Sequence, residues 1–145
     1  MQDSFERIRR SGLKLTPRRK AMVALFSGHD GPLSPREVQC RLKNDFKQCG
    51  LPGIYRNLET LADCGVLFRV VSFGRERSYA FSRMTEENAQ GHHHHIICVS
   101  CGRVGQVDDC RYHEGMTIGG FRIVDHVLQI RGVCETCTET KGAHS

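Results

Sequence analysis

Two cysteine pairs, Cys98-Val-Ser-Cys101 and Cys134-Glu-Thr-Cys137, stand on either side of residues 102–133. A single Cys-x-x-Cys is compatible with redox chemistry. Two that converge in space supply four thiolates in a tetrahedron, the preferred geometry of structural zinc. The spacing predicts that they tie the first strand of a small lobe to its tail around a zinc ion. Immediately before the first pair runs His92-His93-His94-His95, four of the chain's eight histidines. The run is internal, unlike an expression tag. Along an extended segment side chains alternate, so His92, His94 and Ile96 share one face and His93, His95 and Ile97 the other. One segment then serves two sites, or one site and a core. His126, within FRIVDHVLQI, shares a strand face with Val124, Leu128 and Ile130. A lone histidine there is ordinarily a satisfied core residue, but alternate histidines in the same lobe make it a candidate ligand, with His113 as a plausible fourth. Such an all-imidazole set suits zinc, cobalt or nickel, tolerates ferrous iron and disfavours magnesium or manganese. Cys40, Cys49, Cys64 and Cys110 lack any such pairing. Cys40 and Cys64 read as small buried hydrophobes within helices.

These ligands need strands to present them, and the back half reads that way: HIICVS, RVGQVD and FRIVDHVLQI are strand-like, with a short helix expected over 108–115. The front half has a helical period. Residues 4–10 form a short helix closed by Gly12. Thr16-Pro17 opens a second helix, with Thr as N-cap and Pro in the first turn. Ser34-Pro35-Arg36-Glu37 repeats the device with a capping-box glutamate. Pro52 opens a fourth helix, with Ile54, Leu58 and Leu61 on one face and Gly65 as C-cap. VLFRVVS (66–72) and RSYAF (77–81) then form a hairpin around a Gly-containing turn. Helices followed by a hairpin are the order of a winged helix, a helix-turn-helix variant whose second helix reads the major groove of DNA. Residues 52–64 would be that helix, with Tyr55, Arg56 and Asn57 near its start and Arg69, Arg75 and Arg77 on the wing. The polar stretch SRMTEENAQG (82–91) reads as a hinge. The expected fold class is α+β: a winged helix-turn-helix domain over 1–82, a hinge over 83–91, and a small α/β metal-binding domain with a four-cysteine zinc site over 92–145.

The totals fit two small lobes. In 145 residues, 39% are apolar and 7% aromatic, enough for cores that gain from metal or oligomerisation. No apolar run approaches the roughly 20 residues of a membrane span, so no membrane partner is expected. MQDSFERIRRSGLK has no apolar export core, which points to a reducing cytoplasm where cysteines read as ligands before disulfides. The net charge is +5. The basic excess is at the front, where Arg7, Arg9, Arg10, Lys14, Arg18, Arg19 and Lys20 face only Asp3 and Glu6, as suits a nucleic-acid partner.

Together GLKLTPRR (12–19), GIYRNLETLADCGVL (53–67), GHHHHIICVSCG (91–102) and GFRIVDHVLQIRGVCETC (120–137) make the chain resemble the ferric uptake regulator (Fur) family of bacterial metal-sensing repressors over nearly its whole length. The resemblance implies that residues 92–145 are a dimerisation domain, and that the chain is a homodimer that binds palindromic double-stranded operators when loaded with metal. Lys14 and Arg19 would touch DNA near the first helices, and Tyr55 and Arg56 from the recognition helix. Cys98, Cys101, Cys134 and Cys137 match the family's structural zinc site. His92, His94 and His126 match its sensing site, where the family commonly has an acid at the place of His94 and a glutamate near His113; Glu114 is adjacent. A second, inter-domain site would use His93 and His95. Its usual further partners would fall at Pro32 and Ala80-Phe81, which do not ligate, a gap that also argues against a peroxide sensor.

The regulatory ion is expected to be Fe²⁺ or Zn²⁺, with no small-molecule substrate. Two alternatives stand beside this reading. A zinc hydrolase would use an open zinc position and a histidine base, but no paired carboxylates flank the metal residues. A zinc-stabilised protein-interaction module would leave the basic front and the Tyr55-Arg56 helix start unused.

Overall fold

The computed structural model describes residues 1–70, 76–83 and 94–142. The chain divides into two compact units, Met1–Arg83 and Met84–Ser145. The first holds α1 (Gln2–Arg10), α2 (Pro17–Ser27), α3 (Pro35–Leu42), α4 (Leu51–Asp63), β1 (Leu67–Val70) and β2 (Ser78–Phe81). Its helix starts follow from their caps. Thr16 Oγ1 accepts from the Arg19 amide at 3.3 Å. Ser34 and Glu37 close a reciprocal box at 2.7 and 3.3 Å, satisfying two donors that the first turn leaves open. Gly12 and Gly65 follow α1 and α4 with φ of 72° and 76°, a region glycine enters without steric cost. Arg7 Nη1 donates to the Gly65 carbonyl at 3.1 Å, fastening α1 to the end of α4.

The core of this unit is built at helical spacing. Ile54, Leu58 and Leu61 of α4 are fully buried against Met22, Val23 and Phe26 of α2 and against Val38 and Leu42 of α3, each such side chain contributing roughly 1.5–3 kcal/mol. β1 and β2 pair antiparallel in the register Leu67↔Phe81 to Val70↔Ser78. Tyr79 extends the pairing to Leu33, ahead of α3. Four helices and a two-stranded wing are thus present in the order the sequence implies. The expected hairpin turn lies outside the described residues apart from Glu76. No helix among the described residues is long and apolar enough to cross a membrane.

The second unit holds β3 (His94–Cys98), β4 (Val104–Val107), β5 (Thr117–Ile118), β6 (Phe121–Arg122), β7 (Gln129–Gly132) and α5 (Glu135–Gly142). Its main sheet has the order β4-β3-β7, antiparallel on one side of β3 and parallel on the other. Central Ile96 lies over two glycines. A Cβ on Gly105 would sit 2.9 Å from Ile96 Cγ2, and one on Gly132 3.2 Å from Ile96 Cδ1.

Two expectations for this unit are corrected. Residues 108–115 form no helix; the segment is irregular and turns at Glu114-Gly115, where Gly115 has φ 84°. DDCRYHEG offers no apolar face to dock a short helix, and its one thiol turns toward His94 and His126 instead. FRIVDHVLQI is also not one strand. Asp125 Oδ1 accepts from the His126 amide at 2.7 Å, a local bond that competes with the sheet ladder, so β6 stops at Arg122 and β7 begins at Gln129. Val124 and Val127 there are about four-fifths exposed, at 81% and 80%. Helix α5 was not anticipated. Among the described residues of this unit only His94 and Cys98 are buried.

Candidate metal centres and nucleic-acid face

Backbone geometry gathers the four paired cysteines. Cys98 ends β3, and the chain reverses as the Gly102 amide donates to the Cys98 carbonyl at 2.9 Å, with Gly102 at φ 78°. Parallel pairing sets Cys98 beside Gly132, and two residues later comes Cys134. The amides of Cys137 and Thr138 donate to the Cys134 carbonyl at 3.0 and 2.9 Å, so the first turn of α5 carries Cys137 back. All four sulfurs lie within 4.8 Å of one another, and Cys101 and Cys134 are 3.7 Å apart. A tetrahedral ion with sulfur ligands at about 2.3 Å sets edges of about 3.8 Å, so the donor set fits zinc. All eight cysteines are free of disulfides. The Cys134 amide donates to Cys98 Sγ at 3.3 Å and, as the largest cause, brings the Cys98 thiol down to about 5. Cys137, crowded first by Cys134 and then by Cys101, is pushed up to about 12. A dication relieves that crowding, because coordination deprotonates a thiol outright.

A second group lies in the same unit. His94 of β3, Cys110 after β4 and His126 before β7 converge. His94 Nε2 is 2.8 Å from Cys110 Sγ and 3.0 Å from His126 Nε2, and Cys110 Sγ is 3.2 Å from His126 Nε2. His94 is buried; Cys110 and His126 are half-buried. The Tyr112 ring meets His126 edge-on at 6.1 Å between centroids.

The structure thus brings together His94 and His126 from the expected sensing set. It does not bring His113: that residue is exposed, with Nδ1 3.1 Å from the Glu114 carbonyl. The third place belongs to Cys110, which the sequence left unpaired. Its partners lie 16 positions away on either side, a separation no short motif displays. The available signal was one unpaired cysteine midway between two candidate histidines. His95, half-buried one position along β3, joins no group of three candidate ligands among the described residues. His92 and His93 lie outside the described residues. Cys40 is exposed rather than buried in its helix. Cys64 follows α4 half-buried, and burial raises its thiol pKa.

In the first unit, Tyr55, Arg56 and Asn57 lie on the first two turns of α4. Arg19 spans the gap to α2: Nε donates to Asn57 Oδ1 at 3.2 Å and Nη1 to the Lys14 carbonyl at 2.5 Å. Lys14 and Arg56 are exposed. Tyr55 Oη donates to Glu76 Oε1 at 3.4 Å. The wing arginines do not simply decorate the surface. Arg69 pairs with Glu59 and Asp63 of α4 at 2.6 and 2.7 Å, and Arg77 with Glu59 at 3.4 Å. Tyr79 Oη also donates to Glu59. Arg69 first, then Tyr79, holds the Glu59 carboxyl down to about 2. Burial, then Glu59, pushes Tyr79 up to about 12. Arg75 lies outside the described residues.

The model of the ferric uptake regulator family matches residues 10–131. The ferric uptake regulation protein of Bacillus subtilis is 32% identical, covering 94% of this chain and 96% of that protein. The peroxide-responsive repressor PerR of Staphylococcus aureus is 27% identical, covering 96% and 92%. A solved zinc uptake regulator in complex with zinc and DNA superposes with a TM-score of 0.72 at 23% identity, covering 93% of this chain and 90% of that one. The ferric uptake regulator of Helicobacter pylori gives 0.58 at 22%, covering 94% and 93%. Winged helix, four-thiol cluster and a family match over most of the length agree: the chain belongs to the ferric uptake regulator family, whose members are transcription regulators and not enzymes.

Proposed function

We propose that the chain is a metal-responsive repressor that binds palindromic operator DNA as a homodimer, when loaded with divalent iron or zinc, and so controls genes of metal uptake and homeostasis. The observation that carries this reading is the pair of ligand groups in one small unit: a four-thiol cluster suited to permanent zinc, and a separate histidine-containing cluster suited to an exchangeable ion. The first would hold the lobe together, and the second would report metal supply. Residues 1–82 would bind DNA, 83–91 would be the hinge and 92–145 the dimerisation domain. Exposed Phe121, Val124 and Val127, each about four-fifths exposed, offer apolar surface for a second copy. Lys14, Arg19, Tyr55 and Arg56 would contact the duplex. The fold shared with a zinc uptake regulator solved with zinc and DNA supports this use of α4. His93 and His95 remain proposed ligands of a second metal site, and cytoplasmic residence is part of the same reading.

Metal acts here as a population shift. An ion favours the DNA-competent arrangement only by the difference between its affinities for the competing states. Selection of duplexes from a random library, with zinc-replete protein alone and with added Fe²⁺ or excess Zn²⁺, tests the reading. Enrichment of one palindrome only with added metal is expected; equal retention of all duplexes in every condition would overturn it. Four to six phosphate contacts would weaken binding by about 10²–10³-fold between 50 and 200 mM salt.

A further inference from the structure

We infer that Cys110 is a ligand of the exchangeable ion, which makes that site a two-histidine, one-thiolate centre suited to zinc over manganese. The inference rests on the reading of this cluster as the exchangeable site, and it departs from the all-imidazole set that the sequence suggests.

Proton counting carries it. Three donor atoms, two imidazole nitrogens and one sulfur, form a closed triangle with edges of 2.8, 3.0 and 3.2 Å. An imidazole nitrogen has either one hydrogen or one lone pair in the ring plane, never both. If one Nε2 carries hydrogen and the other does not, the first donates to sulfur, the thiol donates to the second, and the nitrogen–nitrogen edge is left without a proton. If both carry hydrogen, both can donate to sulfur, but two N–H groups then face each other at 3.0 Å. No assignment of hydrogens gives each of the three edges a two-centre hydrogen bond of its own. A cation satisfies all three atoms, because each points one lone pair at a common centre. Tetrahedral bonds of about 2.0–2.1 Å to nitrogen and 2.3 Å to sulfur set edges of about 3.3–3.6 Å, so an ion spreads the triangle by about half an ångström.

The sulfur decides the ion. Thiolate with imidazole favours zinc and cobalt, whereas manganese prefers carboxylate and water oxygens. One further ligand completes a tetrahedron, leaving the ion exchangeable in a way the closed four-thiol cage is not.

The test uses the full-length protein with zinc in the four-thiol site and Co²⁺ titrated into the other. Cobalt bound with a thiolate-to-cobalt charge-transfer band is expected. Cys110→Ser should lose that band and bind cobalt at least about ten-fold more weakly, since loss of even an outer-shell partner costs 10–100-fold. Its zinc content should be unchanged, and His113→Ala should match wild type. Cobalt bound by wild type without the band, or the full band surviving in Cys110→Ser, overturns the inference. If the serine variant does not fold, alkylation of wild type replaces it: excess zinc should shield Cys110 from iodoacetamide, and equal labelling with and without that zinc counts against ligation. Metal-independent DNA binding beside an intact charge-transfer band would sink the regulatory reading alone. Metal-dependent DNA binding without the band would sink this inference alone.

Discussion

Glu59 on α4 accepts from both Nε and Nη2 of Arg69 on β1, at 2.9 and 2.6 Å. The wing is therefore held to the helix by the helix's own acid. Arg69 and Arg77 spend charge inside the protein that the wing would otherwise offer to phosphates. Glu59→Gln should loosen this junction by about 1 kcal/mol, the upper end for partly exposed pairs. Because the folded carboxyl is held at about 2 against an ordinary 4.5, its contribution is complete above about pH 4.5 and is lost as pH falls toward 2. The Tm difference between wild type and Glu59→Gln should shrink across that window. A difference independent of pH would show that the charge is not what matters.

Tyr55→Ala and Arg56→Ala should leave Tm, zinc content and dimer mass unchanged, because neither side chain belongs to the buried core. Operator affinity measured by anisotropy should fall at least about ten-fold, about 1.4 kcal/mol. Wild-type affinity in both variants would remove α4 from the interface.

Gly132→Ala should cost about 1–3 kcal/mol through overpacking against Ile96 Cδ1. Ile96→Val deletes that carbon and should restore much of the loss. Gly105→Ala meets Ile96 Cγ2 instead, a carbon valine retains, so the same second change should not rescue it. A double-mutant cycle on chemical denaturation reads both couplings; equal rescue at the two glycines contradicts this packing.

Strong chelation, or Cys134→Ser, should melt the second unit while the first stays folded. The helices of the first unit have an apolar core of their own, whereas the second depends on its ligands, and metal binding there is folding free energy. Calorimetry should then show one surviving transition. A single cooperative loss of the whole chain would mean that the units fold as one.

The helical half was legible because its signals are local. Thr16-Pro17 and Ser34-Pro35 with Glu37 announce helix starts within a few residues, and the 3.6-residue period of Ile54, Leu58 and Leu61 names the buried face. The four-thiol cluster was legible for the same reason, each knuckle being a four-residue motif. Cys110 was not, because its partnership is purely tertiary. Helix α5 was missed because Glu135–Gly142 has no apolar stripe; Cys137 and the capping of Cys134 anchor it instead. The strand expected through His126 failed on one side chain, Asp125, whose bond to the next amide no periodicity reports.

In the second unit, the two buried positions among the described residues are His94 and Cys98, candidate metal ligands where other domains of this size keep leucines. Mass action then governs the lobe. Each ten-fold rise in free ion above its dissociation constant adds about 1.4 kcal/mol to the folded form, and the proposed second copy on the exposed valine face would add a term in the concentration of the chain itself. On the proposed function, thermal stability of this lobe would be no fixed property of the sequence but a function of two concentrations, one inorganic and one its own.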